Sequence, residues 1–205
     1  MKRILLLIAV WLTASSFTIH LCGDSTMAEK DLSDGKPERG WGMMFQNFLD
    51  EGVTVGSEMS GGVENMLVTG CRFIGTDTGL RFKSTRGRGG VVKDIWCDHI
   101  YMKDIVTYAV TFNLYYEGVA ATEMKDGAQA DLIPVDGTTP EFRDMHFSDI
   151  VCSGADQALY INGLPEMPVR GLDFTRCTFT SKKDTKIQYA EDIRFDDVII
   201  NGKAL

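Results

Sequence analysis

No two cysteines in this chain are separated by two residues, and none of its three histidines stands at metal-ligand spacing from a cysteine. That pattern excludes the common zinc-binding and CxxC redox arrangements, so neither metal nor cofactor is expected. Its apolar opening run, Ile4 to Thr13, is too short for the ~20 residues that a spanning helix needs. An excess of positive charge is missing as well: a net charge of -8 makes nucleic acid an improbable main partner, because phosphate binding needs a basic surface. Gly87-Arg88-Gly89-Gly90 lacks the Gly-Lys-Ser/Thr ending of a phosphate loop.

What is present describes a folded protein. Hydrophobic content of 44% and charged content of 24% are ordinary for a globular chain, and 205 residues suffice for one domain or two very small ones. Lys2 and Arg3 before Ile4–Thr13, with small residues Ala14 and Ser16 after, read as an export signal over residues 1–16 with cleavage after Ser16. The alternative is a buried first strand. Ile19-His20-Leu21 ahead of Cys22 lacks the small residues of a lipoprotein anchor. The signal is therefore the only segment expected to meet a membrane, in a monomer that is periplasmic or extracellular, and bacterial.

A nine-residue pattern, apolar at its second, fourth, seventh and ninth places, recurs from Asn65, Asp94, Asp144, Gly171 and Asp192. Each copy reads as two short strands joined by a bend of one extra residue, which restores the inward face. Some fourteen residues after the first apolar position of the first four copies comes another short strand. These strands carry Leu80 and Phe82, Val110 and Phe112, Leu159 and Ile161, and Ile187 and Tyr189. Copies start 29, 50, 27 and 21 residues apart, the irregular coil lengths of a β-solenoid rather than the even spacing of a sandwich. The columns Met66, Ile95, Met145, Leu172, Ile193 and Val68, Cys97, Phe147, Phe174, Phe195 are expected to stack, fully buried, along the axis.

Cys71, Cys97, Cys152 and Cys177 fall on inward places, where a free cysteine serves as a small core residue. His99 and His146 fall on outward places and are expected at the surface. Residues 17–51 do not share the repeat. They read as a strand, Phe17–Cys22, and a helix opened by Pro37 with Trp41, Met44, Phe45 and Phe48 on one face. That helix is expected to fold over the open end of the solenoid.

Two resemblances meet near residues 49–52. Gly23-Asp24-Ser25-Thr26-Met27-Ala28 and Pro37-Glu38-Arg39-Gly40-Trp41-Gly42 resemble the opening block of SGNH esterases, the rhamnogalacturonan acetylesterases above all. The resemblance makes Ser25 the nucleophile, but no histidine has an aspartate three residues earlier, so no base for Ser25 is in view. Residues 52–202, within a solenoid unit of 52–205, resemble glycoside hydrolase family 28, the polygalacturonases. The likeness rests on Val55-Gly56-Ser57-Glu58-Met59-Ser60-Gly61-Gly62-Val63, Gly75-Thr76-Asp77, Gly79-Leu80-Arg81-Phe82-Lys83-Ser84, Gly87–Val92 and Tyr115-Tyr116.

This second resemblance implies a right-handed parallel β-helix, mainly β, a pectin-lyase-like solenoid of four to five coils, truncated, behind a strand-helix leader. It implies that Arg81 and Lys83 grip a sugar carboxylate, with Tyr116 as the cleft tyrosine. The family's catalytic acids lie on coils before the Gly-Ser-Glu segment, and its Gly-His-Gly histidine would fall at Glu51. Inverting hydrolysis needs two carboxyl groups about 6.5–9.5 Å apart, and the adjacent pair Asp196-Asp197 in a turn of the last coil is no substitute.

Between Thr78 and Lys93 stand five cations, Arg81, Lys83, Arg86, Arg88 and Lys93, and no acid. With Leu80 and Phe82 facing in, Arg81 and Lys83 point outward side by side, which suits an acidic polysaccharide such as galacturonan. The reading is a pectin glycoside hydrolase by resemblance, with weak or absent catalysis. The alternatives are a non-catalytic module or gene fragment that holds acidic polysaccharide and, distantly, an esterase. A pectate lyase would need a calcium-ligating acidic cluster.

Overall fold

A computed structural model describes residues 52–115 and 132–205. The export signal, the leader strand and the leader helix all lie outside the described residues.

The described chain is a parallel stack of coils. Its strands are β1 (Val53–Val55), β2 (Val63–Thr69), β3 (Arg72–Ile74), β4 (Leu80–Lys83), β5 (Val91–Asn113), β6 (Glu141–Asn162), β7 (Val169–Lys183), β8 (Lys186–Gln188), β9 (Ala190–Ile200) and β10 (Lys203–Ala204). Every pairing is parallel except the last, where β10 turns back on β9. A full coil has three legs: β2, β3 and β4 form one coil, and the single long strand β5 forms the next by bending twice, while β9 supplies only the first two.

The bends explain the nine-residue pattern. Its first places, Asn65, Asp94, Asp144, Gly171 and Asp192, all have φ between 50° and 63°. Its sixth places, Gly70, His99, Asp149, Arg176 and Asp197, have φ between 51° and 67°. The left-handed region turns the chain in one residue without breaking the ladder, and aspartate, asparagine and glycine enter it most readily. The abundance of these types at fixed places is therefore a corner code.

Both expected columns stack in register, Met66–Ile95–Met145–Leu172–Ile193 and Val68–Cys97–Phe147–Phe174–Phe195. Their middles are sealed, but Met66, Ile193 and Phe195 at the ends are only partly buried. Among the described residues Met66 on β2 and Ile193 and Phe195 on β9 have a paired strand on one side only, which is why full burial fails there. The rings form ladders, with Phe147 4.7 Å from Phe174 and Phe82 4.6 Å from Phe112, and the two ladders meet edge-on between Phe82 and Phe147 at 5.9 Å. Stacked and edge-on contacts of this kind add ~0.5–1.5 kcal/mol each to the burial itself.

One expectation is corrected. Ile187 pairs with Ile161, not Leu159, so the fourth strand of that series sits two residues out of the expected register. Tyr189 leaves the strand with φ 49°, and its carbonyl accepts a hydrogen bond from Val169 N at 3.1 Å. The start of β7 fixes that turn, and no spacing in the sequence carries it.

Cys97, Cys152 and Cys177 are buried and Cys71 is half-buried, and none of the four forms a disulfide. Burial pushes the Cys152 thiol up to about 12 and that of Cys177 to about 11.

Candidate functional site

Strand β4 carries Arg81 and Lys83 on the side opposite to Leu80 and Phe82, which are buried in the core. Neighbouring strands extend two columns from them, in which Thr111, Tyr160 and Asn162 are buried. Thr54, Arg81, Thr111, Tyr160 and Lys186 lie in one, and Lys83, Asn113, Asn162 and Gln188 in the other. Arg81 and Lys83 are half-buried, and their Cα atoms stand two residues apart, roughly 7 Å along the strand. Asn113 Oδ1 accepts a hydrogen bond from Tyr115 N at 3.0 Å, which ties the strand end to the turn after it.

The motifs before β4 hold this face in place. Gly56 has φ 109°, and a Cβ there would come 1.8 Å from the Lys83 carbonyl oxygen, so only glycine lets this segment lie against β4. Gly75-Thr76-Asp77 makes a corner stitched by hydroxyls. Thr107 Oγ1 donates to the Asp77 carbonyl at 2.7 Å and stands 2.9 Å from Thr78 Oγ1. These residues place Arg81 rather than face a ligand.

The five-cation patch is dispersed by the fold. Arg86 is held by Glu166, Arg88 stands 3.2 Å from Glu58, and Lys93 lies 3.0 Å from Glu64 and 3.4 Å from Asp94. The stretch carries no acid in sequence, but the coils bring acids to three of its cations. Arg86 also lies over the Tyr115 ring, 5.2 Å from its centroid. Burial raises the Tyr115 hydroxyl above its usual range. Sequence reasoning missed Glu166, which sits 80 residues from Arg86 in a loop with no recognisable motif. Ser25 and Tyr116 lie outside the described residues.

His99 and His146 both reach the surface, as their outward places imply, and each meets an aspartate. His99 Nδ1 lies 2.5 Å from Asp98 Oδ2, and His146 Nδ1 lies 3.1 Å from Asp173 Oδ2. Asp98, His99 and Asp149 bring ligand atoms within 4.8 Å of one another. Arg176 already occupies Asp149 with two bonds of 2.8 and 2.6 Å, so the group has its cation.

The profile of Glycosyl hydrolases family 28 matches residues 50–192. The chain belongs to this family. It is 28% identical over 127 residues to a "Probable polygalacturonase" of Vitis vinifera, covering 62% of this chain and 23% of that protein. It is 27% identical over 142 residues to an endo-polygalacturonase of Pectobacterium parmentieri, covering 69% and 31%. Among solved structures, a hyperthermoactive exopolygalacturonase from Thermotoga maritima superposes with a TM-score of 0.63 at 22% identity, over 76% of this chain and 32% of that one. The likeness shows the right-handed β-helix fold. The chain thus spans less than a third of the length of these family 28 relatives.

Proposed function

We propose that this family 28 chain binds the free carboxylates of galacturonan through Arg81 and Lys83, on the face formed by β4, β5, β6 and β8. The observation that carries the reading is the outward alignment of both cations on one strand, inside the region matched to the family. Arginine takes a carboxylate in a two-pronged grip and lysine adds a point charge beside it. Half-buried Asn113 on the same face supplies an amide group for a sugar ring, while Thr111 and Tyr160 are buried beneath it. Tyr116, next in sequence to Tyr115, is the proposed cleft tyrosine.

The relatives are polygalacturonases by name, and hydrolysis of α-linked galacturonic acid is the family reaction. This chain is proposed to bind without appreciable turnover, because the resemblance places the family's acids before Val55 and offers no paired carboxylates within it. Export through residues 1–16 fits a polymer ligand too large to enter a cell. In the test, the purified chain is incubated with polygalacturonate, then assayed for reducing ends and for co-sedimentation with the calcium-gelled polymer. Co-sedimentation without reducing ends above background is expected. Turnover, or failure to co-sediment, would contradict the reading.

A further inference from the structure

A second surface of the solenoid carries a hollow with a different chemistry. On the first leg, the outward column runs Leu67–Trp96–His146–Asp173–Arg194, one residue per coil. Beside it runs the corner column Asn65–Asp94–Asp144–Gly171–Asp192. Four of those five corners carry an asparagine or aspartate side chain, and Gly171 does not. Its missing side chain opens a hollow of about 330 Å³, lined by Asp144, His146, Gly171, Asp173, Asp192 and Arg194. That is the lower end of the ~300–1,000 Å³ range of small-molecule sites. A Cβ on Gly171 would come 2.9 Å from Asp144 Oδ1, so any side chain there fills the space.

The walls of the hollow are set by the coil spacing. His146 and Arg194 stand two strands apart, roughly 9–10 Å, with Asp173 on the strand between them. The His146 imidazole is stacked on Trp96, 5.4 Å between centroids and 18° between planes. Its Nδ1 lies 3.1 Å from Asp173 Oδ2, so the stacked ring forms one wall of the hollow. Arg194 lies 3.8 Å from the other oxygen of Asp173. The lining therefore offers one flat aromatic face, several carboxylate acceptors and one guanidinium donor. Trp96 and Leu67, 41% and 65% exposed, continue it as an apolar shelf along the axis.

We infer that this hollow is a second saccharide site, which takes a neutral, hydroxyl-rich sugar unit with its apolar face on His146. Carboxylates accept from sugar hydroxyls, and a flat aromatic wall takes the C–H face of the ring. Asp144 is paired with Arg143 and Asp173 lies beside Arg194, and the three carboxylates still outnumber the two guanidiniums, which disfavours a uronate and separates this site from the proposed carboxylate-binding face on the third leg. The inference does not depend on that other reading.

Affinity electrophoresis of the full chain tests it, in native gels containing neutral galactan, neutral glucan or polygalacturonate. Asparagine tolerates the left-handed corner, as Asn65 shows, so Gly171→Asn fills the hollow without a new charge. Retardation by at least one neutral polymer is expected, weakened at least fivefold by Gly171→Asn and by Trp96→Ala. It should be unchanged in Arg81→Ala/Lys83→Ala. The exposed Trp96→Ala variant and a matched thermal midpoint guard against loss of folding. No retardation by either neutral polymer, or retardation that survives Gly171→Asn, would overturn the proposal. Retardation by polygalacturonate alone would overturn it too and leave the acidic-polymer reading standing.

Discussion

Glu166 and Arg86, 80 residues apart in sequence, meet in a two-pronged ion pair, Nε to Oε1 at 2.5 Å and Nη2 to Oε2 at 2.9 Å. The carboxylate side chain is 3% exposed and the guanidinium 26%. The pair ties the loop after β4 to the loop after β6 and sets Arg86 over Tyr115. Glu166→Gln leaves a charge with half its partner in a mostly dry site. A loss of about 2 kcal/mol in urea unfolding is expected, below the ~3–5 kcal/mol of a fully buried pair because Arg86 keeps some water. Arg86→Ala with Glu166→Gln should lose less than the two single changes added together.

The same pair sets an acid limit. Burial pushes the Glu166 carboxyl up, and its bonds from Arg86 and from backbone amides together more than reverse that, so its folded value lies below the ordinary one near 4.5. A depressed carboxyl contributes stability above its unfolded value and loses it as pH falls through the folded one. Stability of the wild type should therefore fall more steeply below about pH 4.5 than that of Glu166→Gln, read from urea midpoints between about pH 6 and 3.

Position along the axis should grade the core. Phe147 is sealed between Cys97 and Phe174, whereas Phe195 in the last coil is only partly buried. Phe147→Ala should cost about 3–5 kcal/mol, and Phe195→Ala clearly less. Equal losses would contradict a one-dimensional stack.

The corners give a sharper test of backbone. Asp104 has φ 53° and an exposed side chain. A β-branched residue there meets the full left-handed penalty, so Asp104→Val should cost about 1–2 kcal/mol while Asp104→Gly stays within about 0.5. Thermal midpoints of the two variants check it.

These corners also show how far the fold was legible in the sequence. The apolar columns and the bends were readable because a corner coil admits few residue types at fixed offsets, so Asn65, Asp94 and Asp144 recur with Met66, Ile95 and Met145. Arg81 and Lys83 were readable as outward for the same reason, since Leu80 and Phe82 fix the phase of β4. The register of Ile187 was not readable, because a contact of Tyr189 with the start of β7 sets it. The neutralisation of Arg86 by Glu166 was hidden for a similar reason. Loop-to-loop ion pairs obey no period, and a stretch basic in sequence need not be basic in space.

The most direct test of the account is calorimetric titration of the chain with a galacturonate oligomer and with its methyl ester. Binding of the free acid, weakened by added salt, absent for the ester and lost in Arg81→Ala/Lys83→Ala at unchanged thermal midpoint, is the expected result. Equal affinity for acid and ester, or full affinity in the double variant, would contradict it.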